Sequence, residues 1–286
     1  MSGAEVVGLG AIAGLTIFLG LPLGRLRRGS DGLRATLNAV AIGILVFLLW
    51  DVLTHAVDPI EQALTSATGG HRGGWPRFAG LCAVFAVGLA LGLISLVYYD
   101  RWMARRRPAG QPRRHGPGAM SVAERPAKTP LDLADPARRL ALLIAVGIGL
   151  HNFSEGLAIG QSAASGELSL AVLLIIGFGL HNATEGFGIV GPLAGGGERP
   201  SWRLLVVLGL IGGGPTFLGT VVGQSFVNDT VYLGFLALAA GSILYVVLQL
   251  LKVAFRLGRV TPLYWGLLGG LLLGFATDFV VTAAGA

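Results

Sequence analysis

Cysteine is almost missing from this chain: Cys82 is the only one among 286 residues. A lone thiol forms no intramolecular disulfide and builds no thiolate cage around a metal, so disulfide scaffolds and cysteine-rich zinc modules are excluded. Set in an apolar run, Cys82 reads as a small packing residue. Charge is scarce as well. Asp, Glu, Lys and Arg make up 13% of the residues, about half the share of an ordinary soluble domain. The H-E-x-x-H pattern that helix-borne zinc hydrolases use occurs nowhere in the sequence.

What fills the space is hydrophobic, at 53% of residues. Apolar runs of roughly 20 residues, each long enough to cross a bilayer as a helix, recur at about 4–22, 36–57, 77–99, 139–163, 168–191, 202–223, 231–251 and 262–284. The pattern predicts an all-α polytopic membrane protein with eight transmembrane helices. The first run has no basic segment before it and no small-residue cleavage site after it, so it reads as a retained helix and not as a signal peptide.

The formal net charge of +6 could suggest a nucleic-acid partner, but its placement argues for a membrane instead. With the N-terminus outside, every one of the 21 lysines and arginines except Arg72 and Arg77 falls on inner-side loops. That asymmetry is the positive-inside signal of a multi-pass protein of the inner or plasma membrane, with both termini outside the cytoplasm. Lipid bilayer is thus an expected partner, and nucleic acid is not. One long hydrophilic stretch, "RWMARRRPAGQPRRHGPGAM" onward, is rich in Arg, Pro and Gly. It predicts a flexible cytoplasmic loop over 101–137 between a three-helix part, 1–100, and a five-helix part, 138–286, of one membrane domain. His115 in that loop, and His71 in an outer one, read as solvent-exposed.

Polar residues interrupt two of the apolar runs in the same way. "GIGLHNFSEGLAI" carries His151, Asn152 and Glu155; "GFGLHNATEGFGI" carries His181, Asn182 and Glu185. On a helix, positions four apart share one face, so each His stands beside its Glu with the Asn at the edge. Consecutive spans cross in opposite directions, so the two copies form an inverted pair, a device by which transporters gather polar groups at the bilayer midplane. Ionisable groups at that depth are costly and normally face a cavity, a partner or an ion. The bland alternative is hydrogen-bonded glue between helices. Two copies at matching depth favour ion handling instead. Imidazole with carboxylate suits Zn²⁺, Fe²⁺ and similar ions better than Ca²⁺ or Mg²⁺. Two glutamates also cancel the charge of one divalent cation where the dielectric constant is low.

"HNFSEGLAIG" and "HNATEGFGIV" resemble the fourth- and fifth-helix signatures of the ZIP (Zrt/Irt-like) divalent metal transporters, of prokaryotic type. "GLTIFLGLPLGR", "AIGILVFLLWDVLTHA" and "LALAAGSILYVVLQLL" are similar to the family's first, second and seventh helices. The resemblance implies a non-enzymatic carrier with no catalytic residues and no catalytic cofactor. Its cargo is Zn²⁺ first, with Fe²⁺, Mn²⁺, Co²⁺ and Cd²⁺ open, moved into the cytoplasm through helices four and five. Carried over residue by residue, the metal site is His151, Asn152, Glu155, His181, Asn182 and Glu185. The sequence also departs from the family. Ser154 and Thr184 stand where many relatives have proline, so any kink must come from elsewhere, Gly156 and Gly186 being the candidates. Gly214 and Gln249 stand where relatives with a second metal site or an acidic seventh helix have carboxylates, which implies one bound metal. The resemblance leaves a homodimer open.

Asp51 and His55, four apart at the outer end of the second span and followed by Asp58 and Glu61, are candidates for a metal intake funnel that concentrates cations. Ordinary interface polarity is the competing reading. Asp278 and Gln249 are further candidates on the last and seventh spans. Pro215, in "GGGPTFLGT", should kink or break the sixth helix. Two other functions compete with this reading: an intramembrane metal-dependent hydrolase, which needs an open coordination position for water, and a metal exporter or channel. Turnover of a substrate would mark the first, and flux in vesicles of known orientation the second.

Overall fold

The computed structural model describes residues 2–25, 31–70, 73–105, 135–164, 168–193, 199–225 and 228–283. Every regular element among them is helical: α1 (Gly3–Leu15), α2 (Ile17–Gly20), α3 (Asp31–Thr68), α4 (Gly74–Arg105), α5 (Pro136–Ala164), α6 (Leu168–Val190), α7 (Trp202–Gly223), α8 (Asp229–Leu257) and α9 (Val260–Ala283). Seven spans in this set are long and apolar enough to cross a membrane, and α6 adds a further apolar helix of 23 residues. The protein is an all-α polytopic membrane protein. Most of the loop expected at 101–137, including His115, and also His71, lies outside the described residues.

Two of the expected spans differ from the structure in form. The run at 4–22 is not one helix. It breaks at Thr16 into α1 and α2 and ends in a 3-10 turn over Leu21–Arg25. Gly14, Gly20 and Pro22 are weak helix formers, and Pro22 offers no backbone donor. The Thr16 hydroxyl, 2.7 Å from Ala13 O and 2.5 Å from Gly179 O, supplies a side-chain donor where the ladder is interrupted. The second span, expected to end near 57, continues as helix to Thr68 through Pro59. Its 38 residues would reach about 57 Å, well beyond a bilayer core of ~30 Å. The extension has its own packing face, since Ala63 and Ala67 are buried four residues apart. Hydropathy marks where lipid ends, not where a helix ends.

The helices fall into two groups by packing. α1 and α2, α5, α6 and α7 pack together, as do α3, α4, α8 and α9. The groups meet where α5 and α6 lie against α3, α8 and α9. α5 is the most enclosed span, with 72% of its apolar stretch buried against 17% for α4. A helix enclosed on all sides belongs in the core, and this one carries the first copy of the motif. α7 runs through Pro215 without a break. At the end of α8, Gly258 adopts φ +63° and closes the helix in the left-handed conformation that glycine tolerates best.

The two ends of the bundle differ in chemistry. Arg25, Asp100, Arg139, Arg203, Lys252 and Arg256 sit at helix ends on one side. His55, Asp58, Arg77 and Asp229 sit on the other, beside the start of α1 and the end of α9. Arg25 is fixed at its end by donating to the Pro200 carbonyl and by lying 4.5 Å from the centroid of the Trp202 ring.

Candidate metal centre

His151 and Glu155 lie near the middle of α5, and the motif on α6 is similarly placed. The spacing of four brings His151 Nε2 to 3.1 Å from Glu155 Oε1, with both side chains almost fully buried at 3% and 5% exposure. Asn152, Asn182 and Glu185 are completely enclosed. Glu185 is within electrostatic range of His151 and Glu155 and within hydrogen-bonding reach of Asn152, so α5 and α6 present their polar faces to one another. The His181 side chain lies outside the described residues.

The two asparagines are held by backbone on other helices. Asn152 donates through Nδ2 to Gly212 O on α7 at 3.0 Å, and Asn182 donates through Nδ2 to Ala13 O on α1 at 3.1 Å. Each amide is thereby oriented with its oxygen away from its anchor. Both Oδ1 atoms, and Glu155 Oε2, are buried and accept no hydrogen bond from the described residues. Buried acceptors without donors are costly. A cation satisfies several such oxygens at once.

The glycine that ends each motif sets how closely its helix docks. A Cβ at Gly156 would strike the Thr216 carbonyl and stand 2.8 Å from Thr220 N on α7; one at Gly186 would strike the Ile17 carbonyl on α2. Neither glycine interrupts its helix. Their work is close backbone approach, which small residues permit in membranes, and not the kink suggested above.

Residues 132–252, covering α5, α6, α7 and most of α8, match the family model described as ZIP Zinc transporter. Over that stretch, less than half of its length, the chain is similar to the ZIP family. No curated protein matches it. The match supports divalent-metal transport, and the matched region holds both motifs and the Gly212 anchor but not Ala13.

Among the described residues no three His, Cys, Asp or Glu side chains are gathered closely enough to hold an ion. The structure brings His151 and Glu155 together directly, with Glu185 and Asn152 within interaction range of them; Asn182 is buried on the same helix as Glu185.

At the end of the bundle opposite the basic one, a cavity of about 500 Å³ is lined by His55, Asp58, Gln62, Arg77, Gln161 and Asp229, with Ala158 and Tyr232 among its walls. Ala158 is one helical turn from Glu155, so the cavity reaches toward the buried polar centre. Asp51 Oδ1 is 3.5 Å from His55 Nδ1, and Asp51 also acts electrostatically on His151, Glu155, Glu185 and Asp278. Asp51 and Asp278 thus share the region above the centre. Gln249 does not. It lines a separate cavity of about 170 Å³ at the basic end, with Asp100, Arg139, Tyr245, Lys252 and Arg256.

Sequence reasoning missed the anchors. Gly212 O and Ala13 O are backbone atoms, and nothing in a residue's identity announces that its carbonyl will receive a distant amide. The one legible signal was local: Pro215 removes a donor from α7, and Gly14, Thr16 and Gly20 weaken α1, in the regions where the asparagines dock. The ion pair between Asp229 and Arg77, 3.8 Å apart across α8 and α4 at the cavity rim, also joins residues with no sequence relation.

Proposed function

We propose that the protein carries a divalent transition-metal ion, Zn²⁺ foremost, across the membrane into the cytoplasm, and that His151, Asn152, Glu155, His181, Asn182 and Glu185 hold the ion in transit. The observation that carries this reading is the buried group of His151, Glu155, Glu185 and two anchored amides, in which Asn152 Oδ1, Asn182 Oδ1 and Glu155 Oε2 find no donor among the described residues, inside a stretch that matches the ZIP family model. Glu155 and Glu185 supply the charge that balances M²⁺, His151 and His181 supply borderline-soft nitrogen, and the asparagines add neutral oxygen. One ion is bound at a time, because Gly214 places no carboxylate on α7 beside it.

Charge placement supports the orientation of the chain, and with it the side from which metal would enter. The end bearing Arg139, Lys252 and Arg256 faces the cytoplasm by the positive-inside rule, which puts the cavity of His55, Asp58 and Asp229 on the outside. Asp51 and His55, with Asp278 nearby, form the intake region, drawing cations toward α5 by their field. Glu155 and His151, 3.1 Å apart, exchange their contact with one another for contacts to the ion.

The test is uptake of radioactive zinc into proteoliposomes with defined protein orientation. Alanine at His151, Glu155, His181 or Glu185 is expected to abolish saturable uptake, while the variant still elutes as folded protein. Normal uptake by His181→Ala would remove α6's histidine from the site. Competition by Fe²⁺, Mn²⁺, Co²⁺ and Cd²⁺ in the same assay ranks the cargo.

A further inference from the structure

We propose that the basic end of the bundle holds an anionic phospholipid at a defined site between α5 and α8. Two cavities meet there. The smaller, about 170 Å³, is lined by Arg139, Lys252 and Arg256 together with Asp100, Tyr245 and Gln249. The larger, about 510 Å³, is an apolar groove along Leu248, Leu251 and Phe255, and it shares Lys252 and Arg256 with the first. A polar chamber opening into an apolar groove through two cations matches a phosphate head group joined to an acyl chain.

The charge balance selects an anion. Among the described residues that line the chamber, Asp100 is the one carboxylate, and it is engaged by Arg139 Nε at 3.1 Å. Lys252 and Arg256 are exposed, four apart on the same face of α8, and carry the excess positive charge. Leu248 and Phe255 are 54% and 69% exposed beside them, apolar surface that suits lipid tails and not water. Basic pockets between transmembrane helices at the basic face are the setting in which anionic head groups are recognised. A soluble anion would use the chamber but leave the groove without purpose, so the occupant is a lipid.

The site has a mechanical consequence. Arg139 belongs to α5, the helix carrying the first motif, while Lys252 and Arg256 belong to the other group of helices. A head group between them ties the two groups together at this end. Bound lipid should therefore raise the thermal stability of the whole protein by mass action.

The experiment uses the full chain in mild detergent, offered phosphatidylglycerol and phosphatidylcholine, with retained lipid counted by native mass spectrometry. The parent is expected to prefer phosphatidylglycerol and to melt at higher temperature in its presence. Lys252→Gln/Arg256→Gln should weaken that preference by about thirtyfold, the factor for two basic charges near a lipid surface, and lose the stabilisation. Arg203→Gln, an exposed cation at the same end on α7, should change neither. A double variant that keeps the parent's preference overturns the site, as does an equal loss on Arg203→Gln, which would reduce it to general attraction by the basic face. Equal retention of short- and long-chain phosphatidylglycerol, or displacement by inorganic phosphate at comparable concentration, would make the occupant a soluble anion and overturn the lipid. None of these readouts involves metal flux, so the outcome is separate from that of the transport assay.

Discussion

Gly156→Ala is the smallest change that tests whether helix docking positions the metal centre. The added Cβ would stand 2.8 Å from Thr220 N and 2.9 Å from Thr216 C, and closer still to the Thr216 carbonyl oxygen. Real Cβ contacts essentially never fall below 3.0 Å, and the atoms in the way are backbone, which cannot rotate aside. Relief therefore requires α5 and α7 to separate by several tenths of an ångström to about 1 Å, and close-packed interiors transmit such shifts. Overpacking of this kind costs about 1–3 kcal/mol. Glu155 is the adjacent residue, and Asn152, one turn back, is tied to Gly212 on the helix that must move. A displacement of about 1 Å in a positioned site costs on the order of a hundredfold in rate. Gly156→Ala is thus expected to lower the melting temperature and to cut zinc uptake per folded molecule by roughly ten- to a hundredfold. The control is Gly269→Ala on α9, where a Cβ meets nothing within 4 Å; it should match the parent in both measurements. A Gly156→Ala protein with parental stability and uptake would show that the α5–α7 approach does not set the centre.

Three further expectations follow from the site. Equilibrium binding or anomalous scattering should find one ion per chain between α5 and α6; two well-occupied ions in bridging contact would contradict the single-metal reading. Metal affinity should weaken as pH falls from about 8 to about 5.5, because protons compete for the same nitrogen and oxygen atoms that ligate the ion. Glu155→Gln should lower affinity and reduce the slope, whereas flat affinity in the parent would take proton competition out of the picture. Asp51→Asn together with His55→Ala should depress uptake most at low metal concentration and low ionic strength, since a funnel works through its field. An equal loss at saturating metal would instead place those residues in the translocation step.

What the sequence determined by itself was the class of protein and the chemistry at its centre. Apolar runs of bilayer length leave few alternatives to membrane helices, because backbone groups in lipid must be satisfied within the segment. The spacing of four in His151–Glu155 is set by helix geometry alone, and the 3.1 Å contact follows from it. Boundaries were less legible where hydropathy and helicity part company: α3 passes Pro59 and ends at Thr68 because Ala63 and Ala67 find packing partners outside the apolar run. α1 breaks at Thr16, whose hydroxyl donates toward Gly179 O, 163 residues away, a partner that no local signal announces.

Only the tertiary structure decided which way the asparagines point and what the glycines are for. Asn152 could have ligated, capped or hydrogen-bonded any neighbour; the approach of Gly212 O on α7 fixes its amide and leaves Oδ1 unengaged. Gly156 and Gly186, legible in the sequence only as weak points, allow backbones to meet at Thr216 and Ile17. Gln249, a candidate for the metal site by its place in the chain, belongs to the basic end because α8 carries it toward Arg139 and Asp100. The physical reason is common to all three. Local spacing fixes neighbours on one helix, but partners on different helices depend on how α1, α5, α7 and α8 cross, and that is settled by packing over the whole chain.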